Sequence, residues 1–136
     1  MTLRDQLMRD EGLRLKAYVD TRGKTTVGYG RNLTDAGLSF KEAQMLLDND
    51  IARITAEVVA LLPWIKDLDE VRQAALLNMA FNVGPHGLLE SPKMLRHAQA
   101  GEWAAAAAEM VSGPWSQQVG ARAIRLQRQL ESGEWT

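Results

Sequence analysis

The chain of 136 residues contains no cysteine, only two histidines and no long apolar run. Without cysteine it forms neither disulfides nor thiolate metal sites, which is compatible with a reducing compartment. Its longest apolar stretches, such as 58–62, are far shorter than the ~20 residues that cross a bilayer. Residues 1–12 carry charges where a secretory signal needs an apolar block. We therefore expect no membrane insertion and no export signal.

Charge and motif content exclude several further classes of protein. The net charge is −1, and four tryptophans among modest basic charge do not form a nucleic-acid stripe. There is no P-loop and no Ser-His-Asp arrangement, and His86 and His97 lie in separate segments. We therefore predict no cofactor, no metal ion and no nucleic-acid partner. An apolar content of 46 % and a charged content of 24 % are typical of one soluble globular domain, assigned to 1–136.

The first segment with regular periodicity is an amphipathic helix, predicted over Leu3–Met8. Thr2 and Asp5 have the spacing of a capping box at its start. Gly12 is placed to end it. Glu11 is therefore expected at a helix C-terminus.

A β-hairpin follows, because two β-branched and aromatic segments flank a turn at 20–23 with Asp first and Gly fourth. Strand alternation puts Thr26, Gly28 and Gly30 on one face, which has almost no side-chain bulk. Such glycines mark either the close approach of a ligand or backbone, or a bend or bulge of the sheet. The pattern alone leaves both interpretations open.

The remainder is predicted to be helical. A capping box at Ser39 and Glu42 starts a long apolar stripe that Pro63 ends, formed by one bent helix or by two. Segment 67–83 is apolar nearly all round, so it is expected to be buried, with partners for its few polar residues. Trp103 and Trp115 are interpreted as core residues. After a turn at 84–87, further helices are predicted at 92–98, at 102–111, from Pro114 and at 122–130.

Glu11, Asp20 and Thr26, with their flanks DEGLRLKAY and TVGYG, resemble the catalytic stretch of phage-type lysozymes, family 24 of the glycoside hydrolases. The downstream NMAFNVG and PWSQQVGARA segments are also similar to that family. The resemblance implies a mainly helical α+β fold. In it, a helix-plus-hairpin lobe, roughly 1–50, is joined by a long helix to a helical lobe, roughly 51–136.

The resemblance also implies roles for individual residues. Glu11, Asp20 and Thr26 would be catalytic, and Arg122 would support catalysis by pairing with the glutamate. Arg31 stands where the best-known members carry a histidine, which excludes a His-carboxylate pair there. Candidate substrate contacts are Gly28, Gly30, Asn32, Phe81, Asn82, Ser91 and Glu109.

The implied activity is hydrolysis of the β-1,4 bond between N-acetylmuramic acid and N-acetylglucosamine in peptidoglycan. Such cleavage needs a carboxylic acid and a second carboxylate, here Glu11 and Asp20. Asp20 and Thr26 would hold the attacking water, which implies inversion at the anomeric carbon. The resemblance further implies a monomeric endolysin that acts on peptidoglycan glycan strands. It would stay in the host cytoplasm until release, through a holin pore or in a virion.

Four alternatives remain open at the level of sequence. Two are enzymes: a lytic transglycosylase, which needs no attacking water, and a relative acting on chitin or chitosan. The other two are a cell-wall-binding module without activity and a structural component of a virion. An intact Glu11 favours a catalytic protein, because a pure binder needs no carboxyl group at that helix end.

Overall fold

Eight α-helices and one three-stranded sheet form the chain, which the computed structural model describes from Met1 to Thr136. This confirms the mainly helical α+β fold expected from the sequence. The chain divides into two compact units, Met1–Leu47 and Asp48–Thr136. None of the helices combines the length and the apolarity that spanning a membrane requires. The elements are α1 (Leu3–Glu11), β1 (Arg14–Val19), β2 (Thr25–Gly28), β3 (Arg31–Asn32), α2 (Phe40–Leu61), α3 (Glu70–Val83), α4 (Pro85–Leu88), α5 (Pro92–Gln99), α6 (Trp103–Ser112), α7 (Pro114–Val119) and α8 (Ala121–Ser132).

Helix α1 begins and ends where the sequence predicts. The Asp5 N–H donates to Thr2 Oγ1 at 3.1 Å, and the Thr2 N–H donates to Asp5 Oδ2 at 2.8 Å, which completes the capping box. Gly12, with φ of 71°, stops the helix, and its N–H donates to the Met8 carbonyl. Glu11 is consequently the last helical residue.

The sheet has the order β1-β2-β3 and is antiparallel throughout. Arg14 pairs with Gly28 and Tyr18 with Thr26. Between these two pairs β1 advances by four residues and β2 by only two, so β1 contains a bulge. The sequence predicts the β1–β2 hairpin but not β3. A two-residue strand has no periodicity to detect, and its strand character comes from pairing with β2.

An ion pair connects β3 to the start of α2. Arg31 Nη1 lies 2.7 Å from Glu42 Oε2 and donates to the Gly37 carbonyl at 3.2 Å. Glu42 also accepts from the Ser39 N–H at 2.9 Å, as the capping box predicts. The Arg31 guanidinium, followed by Ser39, lowers the pKa of Glu42 to about 2. Arg31 stands where the resemblance implies a histidine in the best-known family members, and its ion pair with Glu42 acts as a clamp between β3 and α2.

We predict that this clamp loses its stabilising effect in acid. Because the folded-state pKa of Glu42 is depressed, its contribution is fully present above the unfolded value of 4.5 and lost as pH falls towards about 2. Urea unfolding of wild type and Glu42→Gln from pH 7 to pH 2 should show a stability gap that narrows below about pH 4.5. The control is Glu57→Gln on the same helix, where the wild-type carboxylate lies 3.8 Å from Arg53 Nη1. This variant should show the same dependence of stability on pH as wild type. A gap that persists at pH 2 would contradict this account.

Helix α2 is a single helix of 22 residues, which decides between the two alternatives that the sequence left open. It starts in the N-terminal unit and continues into the C-terminal unit, where Ile54 and Val58 are buried. Pro63 follows as the first residue of a 3₁₀ helix, Pro63–Asp67, so the α-helical pattern ends where predicted.

The core of the C-terminal unit is formed by the buried end of α2, the 3₁₀ helix Pro63–Asp67 and α3 to α8. Its larger fully buried side chains include Ile65, Leu76, Leu88, Met94 and Leu130. Segment 84–87 is predicted as a turn, but in the structure Gly84 precedes the short helix α4 and residues 85–87 belong to it. Pro85 occupies the first helical position, where a missing N–H costs nothing, and burial of Leu88 fixes the helix in place.

Four polar residues of α3 have partners, as the burial of this helix requires: Arg72, Gln73, Asn78 and Asn82. Gln73 donates to the Ile65 carbonyl at 3.0 Å. Arg72 donates to the carbonyls of Leu130 and Glu131, both at 2.8 Å, and its guanidinium lies 4.6 Å from the centre of the Trp103 ring. Arg72 thus satisfies carbonyl groups in the last turn of α8, which no helical N–H can reach.

The alanine run of α6 is a packing requirement as well as a helix-forming sequence. Helix α6 packs against both α5 and α8, and Ala106 and Ala107 are fully buried. Ala104 and Ala108, in contrast, are exposed. Small side chains on the buried face therefore allow the neighbouring helices to approach.

We predict that Ala106→Leu lowers the free energy of unfolding by about 1–3 kcal/mol, because extra methylenes overfill a packed interior. Ala108→Leu is the matched control, since leucine forms helices nearly as well as alanine and this position faces solvent. It should change stability by less than about 0.5 kcal/mol. Denaturant unfolding of both variants checks the prediction, and equal losses would contradict it.

Candidate active site

Asp20 is held by the main chain of its own turn. Its Oδ1 accepts from the N–H groups of Arg22 and Lys24, both at 2.9 Å, and its own N–H donates to the Lys24 carbonyl at 2.8 Å. The Lys24 N–H first, and then the Arg22 N–H and the charges of both side chains, lower the pKa of Asp20 below its usual value. Asp20 is therefore a fixed, ionised carboxylate.

Thr26 is the only fully buried residue of the N-terminal unit, with 4 % of its surface exposed. Its hydroxyl donates to the Lys24 carbonyl at 3.1 Å. With the donor committed, Thr26 Oγ1 has acceptor capacity left for another ligand. Lys24 thus holds Asp20 through its N–H and Thr26 through its carbonyl. Sequence motifs could not single out Lys24, because its contribution comes from the main chain.

Glu11 meets the hairpin at Gly30. A Cβ atom placed on Gly30 would lie 2.7 Å from Glu11 Oε2 and 3.0 Å from its Cδ, so the carboxyl group rests against the bare Cα. Gly28, by comparison, has open space on its Cβ side. Both glycines have positive φ, 68° for Gly28 and 74° for Gly30. The close approach at Gly30 is that of the Glu11 side chain, neither a ligand nor a backbone, and the positive φ at both glycines fits the alternative of a bend in the hairpin.

Asn32 faces Thr26 in the β2–β3 pairing but uses its amide locally. Its Nδ2 donates to Asp35 Oδ2 at 2.8 Å, and its Oδ1 accepts from the Asp35 N–H at 3.0 Å. The side chain thereby closes the short link after β3. Its role as a substrate contact stays a prediction.

In the C-terminal unit, Ser91 and Glu109 line the same concavity, of about 630 Å³. Its apolar wall includes Met79, Met110 and Trp115. Glu109 is partly fixed, because the Ser112 hydroxyl donates to its carbonyl at 2.9 Å and lies 3.3 Å from its Oε2. Two of the predicted substrate contacts are therefore brought together by this unit. Ser112 is an addition that the sequence did not suggest.

The remaining predicted contacts, Phe81 and Asn82, lie at the C-terminal end of α3. Phe81 is 42 % exposed, which leaves an aromatic ring accessible to a ligand. Asn82 Oδ1 accepts from the Trp115 indole N–H at 2.9 Å. Trp115 is 8 % exposed and Trp103 packs against the core, which confirms the interpretation of both tryptophans as core residues. Asn82 therefore has a structural role alongside the predicted one.

Arg122, at the start of α8, donates from Nε and Nη2 to Asn78 Oδ1 at 2.9 and 2.7 Å, and from Nη2 to the Asn78 carbonyl at 3.1 Å. These bonds fix the guanidinium on α3. The predicted pairing of Arg122 with Glu11 stays a prediction. No group of three His, Cys, Asp or Glu residues is arranged to hold a metal ion.

We predict that the two roles of Asn82 can be separated by substitution. Asn82→Ala leaves the Trp115 N–H unpaired and should lower the free energy of unfolding by about 1 kcal/mol. Asn82→Asp keeps an oxygen acceptor and should retain that stability, but it loses the Nδ2 donor. If Nδ2 contacts the substrate, KM should rise in Asn82→Asp without loss of stability. Equal stability losses in both variants would contradict the structural role.

Comparison with known proteins identifies the family of the chain. A family model described as phage lysozyme matches residues 8–131. "Probable T4-type lysozyme 1" from Dictyostelium discoideum is 26 % identical over 97 % of this chain and 95 % of its own length. An endolysin of Acyrthosiphon pisum secondary endosymbiont phage 1 is 34 % identical over 81 % of the chain and 74 % of its own length. The pre-baseplate central spike protein Gp5 of Enterobacteria phage T4 is 30 % identical over 93 % of the chain, but over only 27 % of its own length.

The mainly helical α+β fold and the match to the phage lysozyme model place the chain among glycosidases of the lysozyme class. With a family match over nearly its whole length, the chain belongs to the phage lysozyme family. It is a muramidase that hydrolyses the β-1,4 bond between N-acetylmuramic acid and N-acetylglucosamine in peptidoglycan. This confirms the activity that the sequence predicts.

Proposed function

We propose that Glu11 is the general acid and Asp20 the general base of an inverting hydrolysis, with Thr26 as the second ligand of the attacking water. One observation supports the proposal most directly. The main chain of Lys24 binds both side chains, because its N–H donates to the Asp20 carboxylate and its carbonyl accepts from the Thr26 hydroxyl. A base and a hydroxyl acceptor fixed by the same residue are suited to orient a water molecule.

The atoms balance in a single displacement. The water donates one hydrogen bond to Thr26 Oγ1, whose own proton is committed to Lys24, and the other to Asp20 Oδ2. As its oxygen bonds to the anomeric carbon, a proton passes to Asp20 and the glycosidic bond breaks. Glu11 delivers its proton to the departing oxygen. The lowered pKa of Asp20 supports this division of roles, because a base must be ionised before it accepts a proton.

Water attack on the face opposite the leaving group requires room between the carboxyl groups. Inverting enzymes separate them by ~6.5–9.5 Å, whereas retaining enzymes separate them by ~5–5.5 Å. The configuration of the newly formed reducing end, followed by NMR on a soluble glycan, therefore tests the water position directly. Retention would contradict the assignment of Asp20 and Thr26 to water.

The central prediction concerns the two carboxylates. Glu11→Gln removes the transferable proton and Asp20→Asn removes the base, and each should lower the rate of peptidoglycan hydrolysis by at least about 10²-fold. Asparagine at position 20 retains an oxygen for the Arg22 and Lys24 N–H groups, so Asp20→Asn should remain folded. Clearing of a purified peptidoglycan suspension, with analysis of the products, measures the loss.

The matched control is Asp48→Asn, the same chemical change at an exposed position of α2, which should clear the suspension like wild type. Wild-type activity in Glu11→Gln would contradict the assignment of the acid. Anhydro ends in the products of wild type would show a transglycosylase instead of a hydrolase. A folded wild type that binds peptidoglycan without clearing it would favour the binding or virion alternatives.

The biological context forms part of the same proposal. We propose a monomer that acts on peptidoglycan glycan strands during phage-mediated lysis, held in the host cytoplasm until a holin releases it. The similarity to an endolysin supports this context. The similarity to a phage spike protein supports, more weakly, the alternative of a virion-associated enzyme. Detection of the protein in lysing cells but not in purified virions would distinguish the two.

A further inference from the structure

The absence of a side chain at Gly30 is tied to the position of one neighbour, Glu11. A Cβ at Gly30 would lie 2.7 Å from Oε2, 3.0 Å from Cδ and 3.3 Å from Cγ of Glu11. Real Cβ atoms essentially never approach another heavy atom closer than 3.0 Å. A methyl group would therefore displace the carboxyl end of Glu11, which is the flexible end of an exposed side chain, so the shift changes the position of the acid at little cost in stability.

Backbone conformation alone does not account for this contact. Nine glycines have positive φ, which is sufficient reason for glycine at each of those positions. Gly101 has the same φ as Gly30, 74°, yet a Cβ there would meet nothing within 4 Å. Gly30 is therefore subject to a second constraint, and this constraint concerns Glu11.

Glu11 has little else within the N-terminal unit to locate it. It is the last residue of α1, its side chain is exposed, and its carboxylate accepts no hydrogen bond from that unit. A glutamate side chain rotates about three bonds, so an unanchored carboxyl group samples several positions. Asp20, in contrast, is held by two N–H groups.

We propose that Gly30 is a positioning residue for Glu11: its bare Cα forms the surface on which the acid's carboxyl group rests at the height of the hairpin. The inference rests on the proposed role of Glu11 as general acid. This role differs from direct substrate contact, the role that the sequence pattern predicts for Gly30. A displacement of about 1 Å at a reacting group costs about 10²-fold in rate, so a single methyl group is expected to be damaging.

A double-mutant cycle tests the contact without using activity. The free energy of urea unfolding is measured for wild type, Gly30→Ala, Glu11→Ala and the double variant, with Gly101→Ala as the control for backbone strain. Gly30→Ala should cost at least as much stability as Gly101→Ala. Any excess should disappear in the Glu11→Ala background, because the methyl group then has no carboxyl group to displace. An excess that persists in that background would overturn the proposal, because it would not come from the contact with Glu11.

Kinetics on soluble, uncross-linked peptidoglycan strands test the consequence. Gly30→Ala should lower kcat by about 10²-fold while KM stays within about twofold, because the acid is misplaced and substrate binding is not. Gly101→Ala should retain the wild-type kcat. An unchanged kcat in Gly30→Ala, or a loss confined to KM, would overturn the positioning role.

Failure of the Gly30 inference can be distinguished from failure of the proposed function. If Gly30→Ala does not fold, recovery of folding in the double variant supports the contact, and failure of both assigns the defect to the backbone and overturns the proposal. A folded but inactive wild type would overturn the proposed function and this inference together. A stability excess that persists in the Glu11→Ala background, or an unchanged kcat in Gly30→Ala, would overturn this inference alone when the wild-type enzyme is active.

Discussion

The proposed chemistry of this lysozyme depends on the main chain of one small hairpin. Asp20 is fixed by the N–H groups of its turn, Thr26 by a carbonyl of the same turn, and Glu11 by contact with the Cα of Gly30. Backbone groups are well suited to this task because they carry no side-chain entropy. The unit that carries all three contains a single fully buried residue, so hydrogen bonds and backbone geometry, more than apolar packing, hold the catalytic candidates.

The C-terminal unit is stabilised mainly by an apolar core. Polar side chains that border this core form hydrogen bonds with specific partners. Asn78 Oδ1 accepts a hydrogen bond from Arg122, and Asn82 Oδ1 accepts one from the indole N–H of the buried Trp115. Arg72 satisfies carbonyl groups at the end of α8. Two of these partners are also site candidates, since Asn82 and Arg122 were predicted to act on substrate and on the acid. A polar side chain at a helix end can fulfil both demands when one of its atoms bonds inward and another remains free.

The sequence predicts a residue's structural role correctly where neighbouring residues alone decide that role. The capping boxes at Thr2 and Ser39, the helix stop at Gly12 and the turn at Asp20 follow from short-range hydrogen bonding, which a few adjacent residues decide. It missed β3 and α4, because two and four residues are too few for a periodic pattern. It also missed the Arg31–Glu42 pair, since nothing in the order of residues specifies which glutamate meets a given arginine.

The sequence by itself determined the helical course of the chain and the C-terminal position of Glu11 in its helix, because these depend on local propensity and on residue spacing. Its resemblance to known proteins gave the family, and the catalytic roles of the two carboxylates and the threonine stay predictions. Only the tertiary structure decided that the Lys24 main chain holds Asp20 and Thr26, and that Gly30 rather than Gly28 meets the Glu11 carboxyl group. Both glycines share a positive φ and a similar place in the motif. Which of them has a neighbour depends on how helix α1 packs against the hairpin, and distances between elements are not encoded in the spacing of residues along a chain.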